Sequence, residues 1–573
     1  MRPALLVLAF TCAGVATVSG QGAEPARIDN NVEAGVASTA GHASGLAQAA
    51  DPATDAADAA AEAKHAIVVH RNVGSGNPAA VTLGIPFPPG VLRDPKQVRI
   101  LDARGTEVPA HVTTSLTWHF KDGSVRAVRV QFHATLDGAT ATYHFDYGQA
   151  RSKNDPGWPY ADGLVDGPDG VKVPAVLATL DPAWMTAARI TGPQVPATDP
   201  PGAYDTFFAT QFQWARPMPT TRGAAWLFDR PSTLFEAYVR TGRYDYLQSA
   251  VESYRFYMAH IKRSGPNMYP FCGGGFEFES VKACNVKYVY VEPILLALGL
   301  TGDDADHDGS VVRLMAGLWA SGGWDYKPGP YTDPGQRFTE RQAGLGLRAI
   351  DAAYALTGDK DYREQIEERI GWLYDHQRNN PDKLGDDGSW RSSWNRHEDD
   401  DWKPETDVRG ASPWMSVDIV DALWHAWLLT SDPRIPGMLT DFGRYLERYG
   451  WIPPEELAKP GQGWRHACDE PDGIIGWYWS SSHATREQLV KIQNSEGWYS
   501  DEHNVELTLP VALALYFEKD PAQRALYDAR LKKLSISYGP KCAKSSSTPR
   551  RFNWNNHGVG VVQWLIAQPP HQP

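Results

Sequence analysis

Phe338-Thr-Glu-Arg-Gln-Ala-Gly-Leu-Gly-Leu-Arg-Ala-Ile-Asp-Ala-Ala-Tyr-Ala-Leu-Thr-Gly-Asp-Lys-Asp-Tyr-Arg-Glu-Gln-Ile-Glu-Glu-Arg-Ile-Gly-Trp-Leu-Tyr-Asp-His376 is the stretch that decides the fold. Leu345, Leu347, Ile350, Ala353, Tyr354 and Leu356 recur at roughly helical spacing. Thr357-Gly358-Asp359 stops that helix with a glycine just past its end. Ile366, Ile370, Leu373 and Tyr374 then line one stripe of a second, amphipathic helix. The unit is a helical hairpin with a very short connection. It recurs at Phe235–Leu247 and Leu296–Asp303, and with proline in the new helix's first turn at Leu428–Arg434 and Tyr516–Ala522. Such pairs cannot each bury an apolar face alone, so they must stack on one another. With a terminal helix near 555–567, they predict a closed ring of about six pairs, an (α/α)6 toroid, over 211–573.

The chain ahead of this ring changes character several times. Residues 1–20 carry Arg2, an apolar run from Ala4 through Ala16 and the small residues Val18-Ser-Gly20, the pattern of a secretory signal peptide. A secreted or periplasmic protein is expected. Residues 21–63 read as a disordered linker rich in Ala, Gly, Ser and Asp. Residues 64–150 hold short β runs at 66–70, 80–84, 98–101, 127–132 and 141–146, separated by turns such as Asp122-Gly123 and Asp137-Gly138. They predict a small all-β barrel or sandwich domain. Residues 151–210, rich in Pro, Gly and Asp, read as an irregular connector.

The net charge of −13, which becomes −14 when Arg2 leaves with the signal, argues against nucleic acid as a partner. No segment after the signal has the length of a membrane span, so no membrane partner is expected either. The oligomeric state is left open. Cys272, Cys284, Cys468 and Cys542 remain after cleavage, and an even number in an exported chain suggests disulfides. Of the three pairings, Cys272 with Cys284 and Cys468 with Cys542 is the favoured one. The 21 tryptophans suit a sugar-binding protein, because pyranose faces stack on aromatic rings; core packing is the competing explanation.

Gly84-Ile-Pro-Phe-Pro-Pro-Gly-Val-Leu92, Ile100-Leu-Asp-Ala-Arg-Gly-Thr-Glu-Val-Pro-Ala110, Trp118 and Asp122-Gly-Ser-Val-Arg-Ala127 resemble the N-terminal β-barrel domain of the exo-acting rhamnogalacturonan lyase/YetA-like family. That family pairs such a domain with an (α/α) toroid. The resemblance covers the β domain well and the helical domain only in architecture. It implies an enzyme that acts on polysaccharide, without choosing between lyase and hydrolase.

Connections within each helical hairpin are short, and those between hairpins are long. In a ring, the long ones must emerge on one rim, where chemistry is expected. The helix starts on that rim are polar: Arg222 and Asp229-Arg230; Tyr288, Tyr290 and Glu292; Thr339-Glu-Arg-Gln342; Ser412-Pro-Trp-Met-Ser-Val-Asp418; Asp501-Glu-His-Asn504; and Asn553-Trp-Asn-Asn-His-Gly558. Thr339, Ser412 and Asp501 are equally well placed as helix caps. Asn555-Asn-His-Gly558 also resembles an element of some alginate-lyase-like toroids. A lyase needs a group that neutralises a uronate carboxylate, with a base and an acid; Arg341, Asn504, Asn556, His503, His557, Tyr288 and Tyr290 suit it. A hydrolase needs two carboxyl groups; Glu292, Glu340, Asp418 and Glu502 suit that. The catalytic candidates are thus Glu340, Arg341, Glu502, His503 and His557. Arg222, Tyr288, Tyr290, Glu292, Trp414, Trp498, Asn504 and Asn556 are the binding candidates. The expectation is β-elimination of a uronate-containing polysaccharide or oligosaccharide. Hydrolysis by paired carboxylates is the alternative, and sugar binding without turnover the second.

Trp324, Tyr326, Trp394, Trp402, Trp464, Trp498 and Tyr499 are candidate sugar platforms in the long loops. Asp304, Asp306 and Asp308, followed by Gly309, resemble the first half of a calcium loop, although Met315 stands where an EF-hand has glutamate. They predict a structural Ca²⁺ site, and no organic cofactor is expected.

Overall fold

In the computed structural model, the residues described are 64–74, 76–217, 226–261, 288–306, 308–319, 338–380, 382–394, 407–457, 472–496, 503–544 and 549–571. The expected signal, linker and most long inter-hairpin loops lie outside them. So do Cys272, Cys284 and Cys468, and with them the expected cysteine pairing.

Strands β1 (His65–Arg71), β2 (Ala79–Pro86), β3 (Val98–Leu101), β4 (Glu107–Val108), β5 (Ala110–Thr117), β6 (Val125–Ala134), β7 (Thr140–Tyr147) and β8 (Val176–Leu180) build two antiparallel sheets. One has the order β8-β1-β7-β3-β4 and the other β2-β6-β5. Their buried faces, with Ile67 and Val69 on the first and Val81, Leu83, Val130 and Phe132 on the second, share one core. This is a sandwich, and β1 shows the alternation of a strand that turns one face to that core. The strand Val176–Leu180 corrects the expected connector. It pairs along β1 from Ile67 to Arg71, so the β layer runs well past residue 150. It stands at the edge of the sheet beside β1 alone, yet its five residues are all buried, which leaves no alternation to read.

Thirteen helices in the described residues carry the ring: α1 (Ala203–Ala215), α2 (Arg230–Thr241), α3 (Tyr244–Ala259), α4 (Glu292–Thr301), α5 (Ser310–Trp319), α6 (Glu340–Thr357), α7 (Lys360–Arg378), α8 (Ser416–Thr430), α9 (Arg434–Tyr445), α10 (Thr508–Phe517), α11 (Pro521–Leu534), α12 (Pro549–Asn556) and α13 (Val562–Ala567). The inner series runs α2, α4, α6, α8, α10 and α13; each helix touches the next, and the Val559–Val561 turn ahead of α13 returns to α2. Inner helices are apolar nearly all round, as in Thr508–Phe517, where every residue is buried. Outer helices keep one apolar stripe, as in α7, where Ile366, Ile370 and Leu373 are buried and the glutamates face solvent. The sixth pair is made by the two ends of the helical part, α1 against α12. α1 starts inside the expected connector.

The turns read from sequence are as expected. Thr339 caps α6 by accepting from Gln342 N, and Gly358 (φ 69°) ends it. Ser431 (φ 55°) does the same for α8 without a glycine. The short turns face the β sandwich: Gly302 sits against Thr82 and Gly358 against His119. α4 lies across β2 so closely that a Cβ on Gly84 would come 2.3 Å from the Gly299 carbonyl.

α6 and α8 are equally close. A Cβ on Gly344 would fall 2.2 Å from the Asp418 carbonyl carbon, which is backbone and cannot swing aside. Gly344→Ala is therefore expected to lower the unfolding free energy by at least about 1–3 kcal/mol, read from the urea midpoint. An unchanged midpoint would show that this crossing yields.

Candidate active site

The polar side chains of the inner helices meet on the ring axis. Phe228 and Asp229 lead into α2 with φ of 67° and 53°, a left-handed pair without glycine. A bulky residue there is strained, and such strain persists where the surroundings impose it. Here Tyr290 imposes it: its hydroxyl accepts from Phe228 N at 2.8 Å. Asp229 Oδ1 accepts from Ser232 N and caps α2. The turn aims Asp229 at Glu292 and His557, and one ligand-type atom from each of the three lies within 4.8 Å of the others. The void beside them is about 10 Å³, room for about one water-sized group. Among the described residues, this is the one group of three close enough to share a metal ion.

Arg348, two turns into α6, organises the floor of this void. It donates to Glu292 Oε1 and, at 3.2 Å, to Asp421 Oδ2. Glu292 Oε2 has no hydrogen bond among the described residues and lies 3.8 Å from His557 Nε2. Glu236 accepts from Gly558 N at 3.3 Å. Burial, then the Glu292 charge, pushes the Asp229 carboxyl up to about 8. Burial also holds Glu236 and Asp351 well above the usual carboxylate range. Asp421 goes the other way: burial pushes it up, but Arg348, His425 and His557 outweigh burial and hold it low. Burial, then the charge of Arg348, holds His425 well below the usual imidazole range.

A collar of rings stands at the helix starts. Arg341 lies over Phe228 (5.6 Å) and Trp414 (5.4 Å). Trp414 stacks on His503 at 4.0 Å, and His503 meets Trp554 at 4.6 Å. Trp554 returns to Phe228 at 5.9 Å. His503 Nδ1 is 2.5 Å from Glu506 Oε1, whose partner oxygen accepts from Asn555.

The expected site residues divide accordingly. Glu292 and His557 lie at the void, and Arg341, Trp414 and His503 in the collar. Glu340 is fully buried and accepts from Ser412 N at 2.9 Å and the Ser392 hydroxyl at 3.4 Å, which ties two loops to α6; burial pushes its carboxyl up to about 7. Tyr290 holds the strained turn through its hydroxyl, and the Tyr257 hydroxyl donates to Tyr288 O and accepts from Tyr290 N. Asn504 donates to Ile474 O, and Asn556 to Gln211 and Phe552 O, so both brace backbone and helix contacts. Arg222, Glu502 and Trp498 lie outside the described residues, as do Trp324, Tyr326, Trp402, Trp464 and Tyr499. Trp394 packs edge-on against Trp479 in a satellite core. Asp229 was named only as part of a polar helix start, and Arg348, Asp351 and Asp421 were not among the candidates. The signal of these last three is a charged residue on a largely apolar inner helix.

The three aspartates of the expected calcium turn each have a protein partner. Asp304 is ion-paired with Arg129. Asp306 accepts from Val311 N and Val312 N, and Asp308 from Ser310 N, so both cap α5. A structural ion present at a hundredfold excess over its Kd would add about 3 kcal/mol. A chelator tests the turn: a fall of several degrees in the melting temperature would mark a bound structural ion, and an unchanged melting temperature would show that the protein partners alone hold the three acids.

No family model and no curated protein matches the chain. Among solved structures it is similar to the GH76A α-1,6-mannanase from Salegentibacter sp. HEL1_6, at 12% identity and a TM-score of 0.36, over 63% of this chain and 98% of that one. No helix among the described residues is long and apolar enough to cross a membrane.

Proposed function

We propose that the protein is a glycoside hydrolase whose helical ring is an (α/α)6 toroid, with Asp229 as proton donor and Glu292 as its carboxylate partner. The observation that carries this reading is the pair itself: two carboxyl groups with oxygens within 4.8 Å, one pushed up to about 8 by burial and its neighbour, the other anchored by Arg348. Two carboxyl groups in unlike environments are what an acid and a nucleophile or base require. Asp229 keeps its proton at neutral pH and can give it to a leaving glycosidic oxygen. Glu292 Oε2 faces the void and can activate a water held in it or attack an anomeric carbon brought to its edge. The short separation favours the nucleophilic role and retention of configuration. The collar of Phe228, Trp414 and Trp554 holds the helix starts around the pair together with buried rings.

Glu292 and Asp421 both pair with Arg348, the one axial cation among the described residues, so no cation on the axis is left to hold a uronate at the cleavage point. The cleaved sugar is therefore neutral in this reading. One observation favours the β-elimination reading instead: Arg341 and His503 flank Trp414, a cation and an imidazole on one indole. A screen of neutral and acidic polysaccharides that follows reducing ends and unsaturated-uronate absorbance together separates the two. Reducing ends alone are expected. Growth of the absorbance would transfer the chemistry to Arg341 and His503, and silence in both with retained binding would remove catalysis altogether.

A further inference from the structure

A second cavity, of about 100 Å³, lies where the β sandwich meets the ring. Glu292 and Arg348 reach its inner end, but its walls differ from those of the axial void. Arg126 of β6 is 5% exposed; its guanidinium lies 4.7 Å from the Trp118 ring centre and donates to Ala355 O and Ile190 O at 3.3 and 3.0 Å. Its Nε has no hydrogen-bond partner among the described residues. Neither does either carboxylate oxygen of Asp351, 1% exposed, nor the hydroxyl of Thr191, 7% exposed. Buried polar atoms are seldom left unpaired, and here a donor and several acceptors line the same space. At the mouth, Lys121 and Arg189 are exposed and close enough for the charge of one to act on the other. Neither side chain has a hydrogen bond or ion pair among the described residues.

We propose that this cavity binds a single anionic sugar ring of the hexuronate type. Its carboxylate lies toward the unpaired Nε–H of Arg126 and the Lys121–Arg189 mouth, whose two cations have no side-chain partner among the described residues and favour a charge-assisted contact. Its hydroxyls donate to Asp351 and Thr191, and its ring face rests on Trp118 and Phe120. The volume suits one ring and is too small for an oligomer. The assignment does not depend on the hydrolase reading.

Calorimetric titration of the full chain with D-galacturonate and D-glucuronate, beside D-galactose and acetate, tests it. At least one hexuronate should bind saturably, with galactose and acetate each weaker by about tenfold or more. Asp351→Asn and the doubly exposed-site variant Lys121→Ala/Arg189→Ala should each weaken hexuronate binding by a similar factor. Asp229→Asn should leave it unchanged. Lys121 and Arg189 are exposed, so the double variant should fold normally by thermal melting. The proposal is overturned if neither hexuronate binds, if galactose binds as well as they do, if the pocket variants bind normally, or if Asp229→Asn removes binding.

Discussion

Asp229→Asn is expected to lower turnover by a factor of about 10²–10⁴ while making the protein more stable in alkaline solution. Asparagine keeps the capping bond to Ser232 N and tolerates the left-handed backbone at φ 53°, so the local fold should survive. What is lost is the proton. In the wild type the folded carboxyl titrates at about 8, above its ordinary value, so the native state binds the extra proton across that interval. The stability this contributes is fully present below the unfolded pKa of about 4 and is lost as pH rises through the folded one, at up to about 1.4 kcal/mol per pH unit. The variant should lack that slope, so the two unfolding curves should diverge toward pH 8. Wild-type activity should fall across the same limb as the donor deprotonates. Equal activity in the variant, or parallel stability profiles, would show that Asp229 is not the buried acid described.

Arg348→Met should be the most destabilising single change on the axis. Arg348 is buried and bonded to Glu292 and Asp421, with Asp351 and Glu236 also raising its affinity for its proton. Methionine keeps much of the volume but leaves buried carboxylates without their cation, a loss of about 3–5 kcal/mol. Equilibrium urea unfolding reads it directly. Acid should partly rescue the variant, because protonated carboxyls need no counterion. A variant as stable as wild type at neutral pH would mean that the acids are already neutral in the fold.

The helical ring was largely legible because its signals are local. Thr339, the stripe Leu345–Leu356, Gly358 and the α7 face each announce a cap, a core face or a stop within a few residues. The strand Val176–Leu180 was hidden because a strand buried on both faces loses its alternation, and its surroundings read as a loop. The axial charges were hidden for a different reason. Arg348 and Asp351 sit inside an apolar helix, and Asp421 and His425 inside another, where the helical period marks them as inward but does not say that they meet. Their meeting depends on ring closure, to which helices far apart in sequence contribute. Glu340 was a candidate for chemistry because it stands beside Arg341 at a helix start. Its bonds to Ser412 and Ser392 give it loop-anchoring contacts that no local pattern encodes.

The choice between hydrolysis and elimination can be made in one measurement, by mass spectrometry of the products formed in water labelled with the heavy oxygen isotope. A hydrolase using Asp229 and Glu292 must place one solvent oxygen on the sugar released at each cleavage, so singly labelled, saturated products are expected. Unlabelled products lighter by one water, the mark of β-elimination, would contradict it.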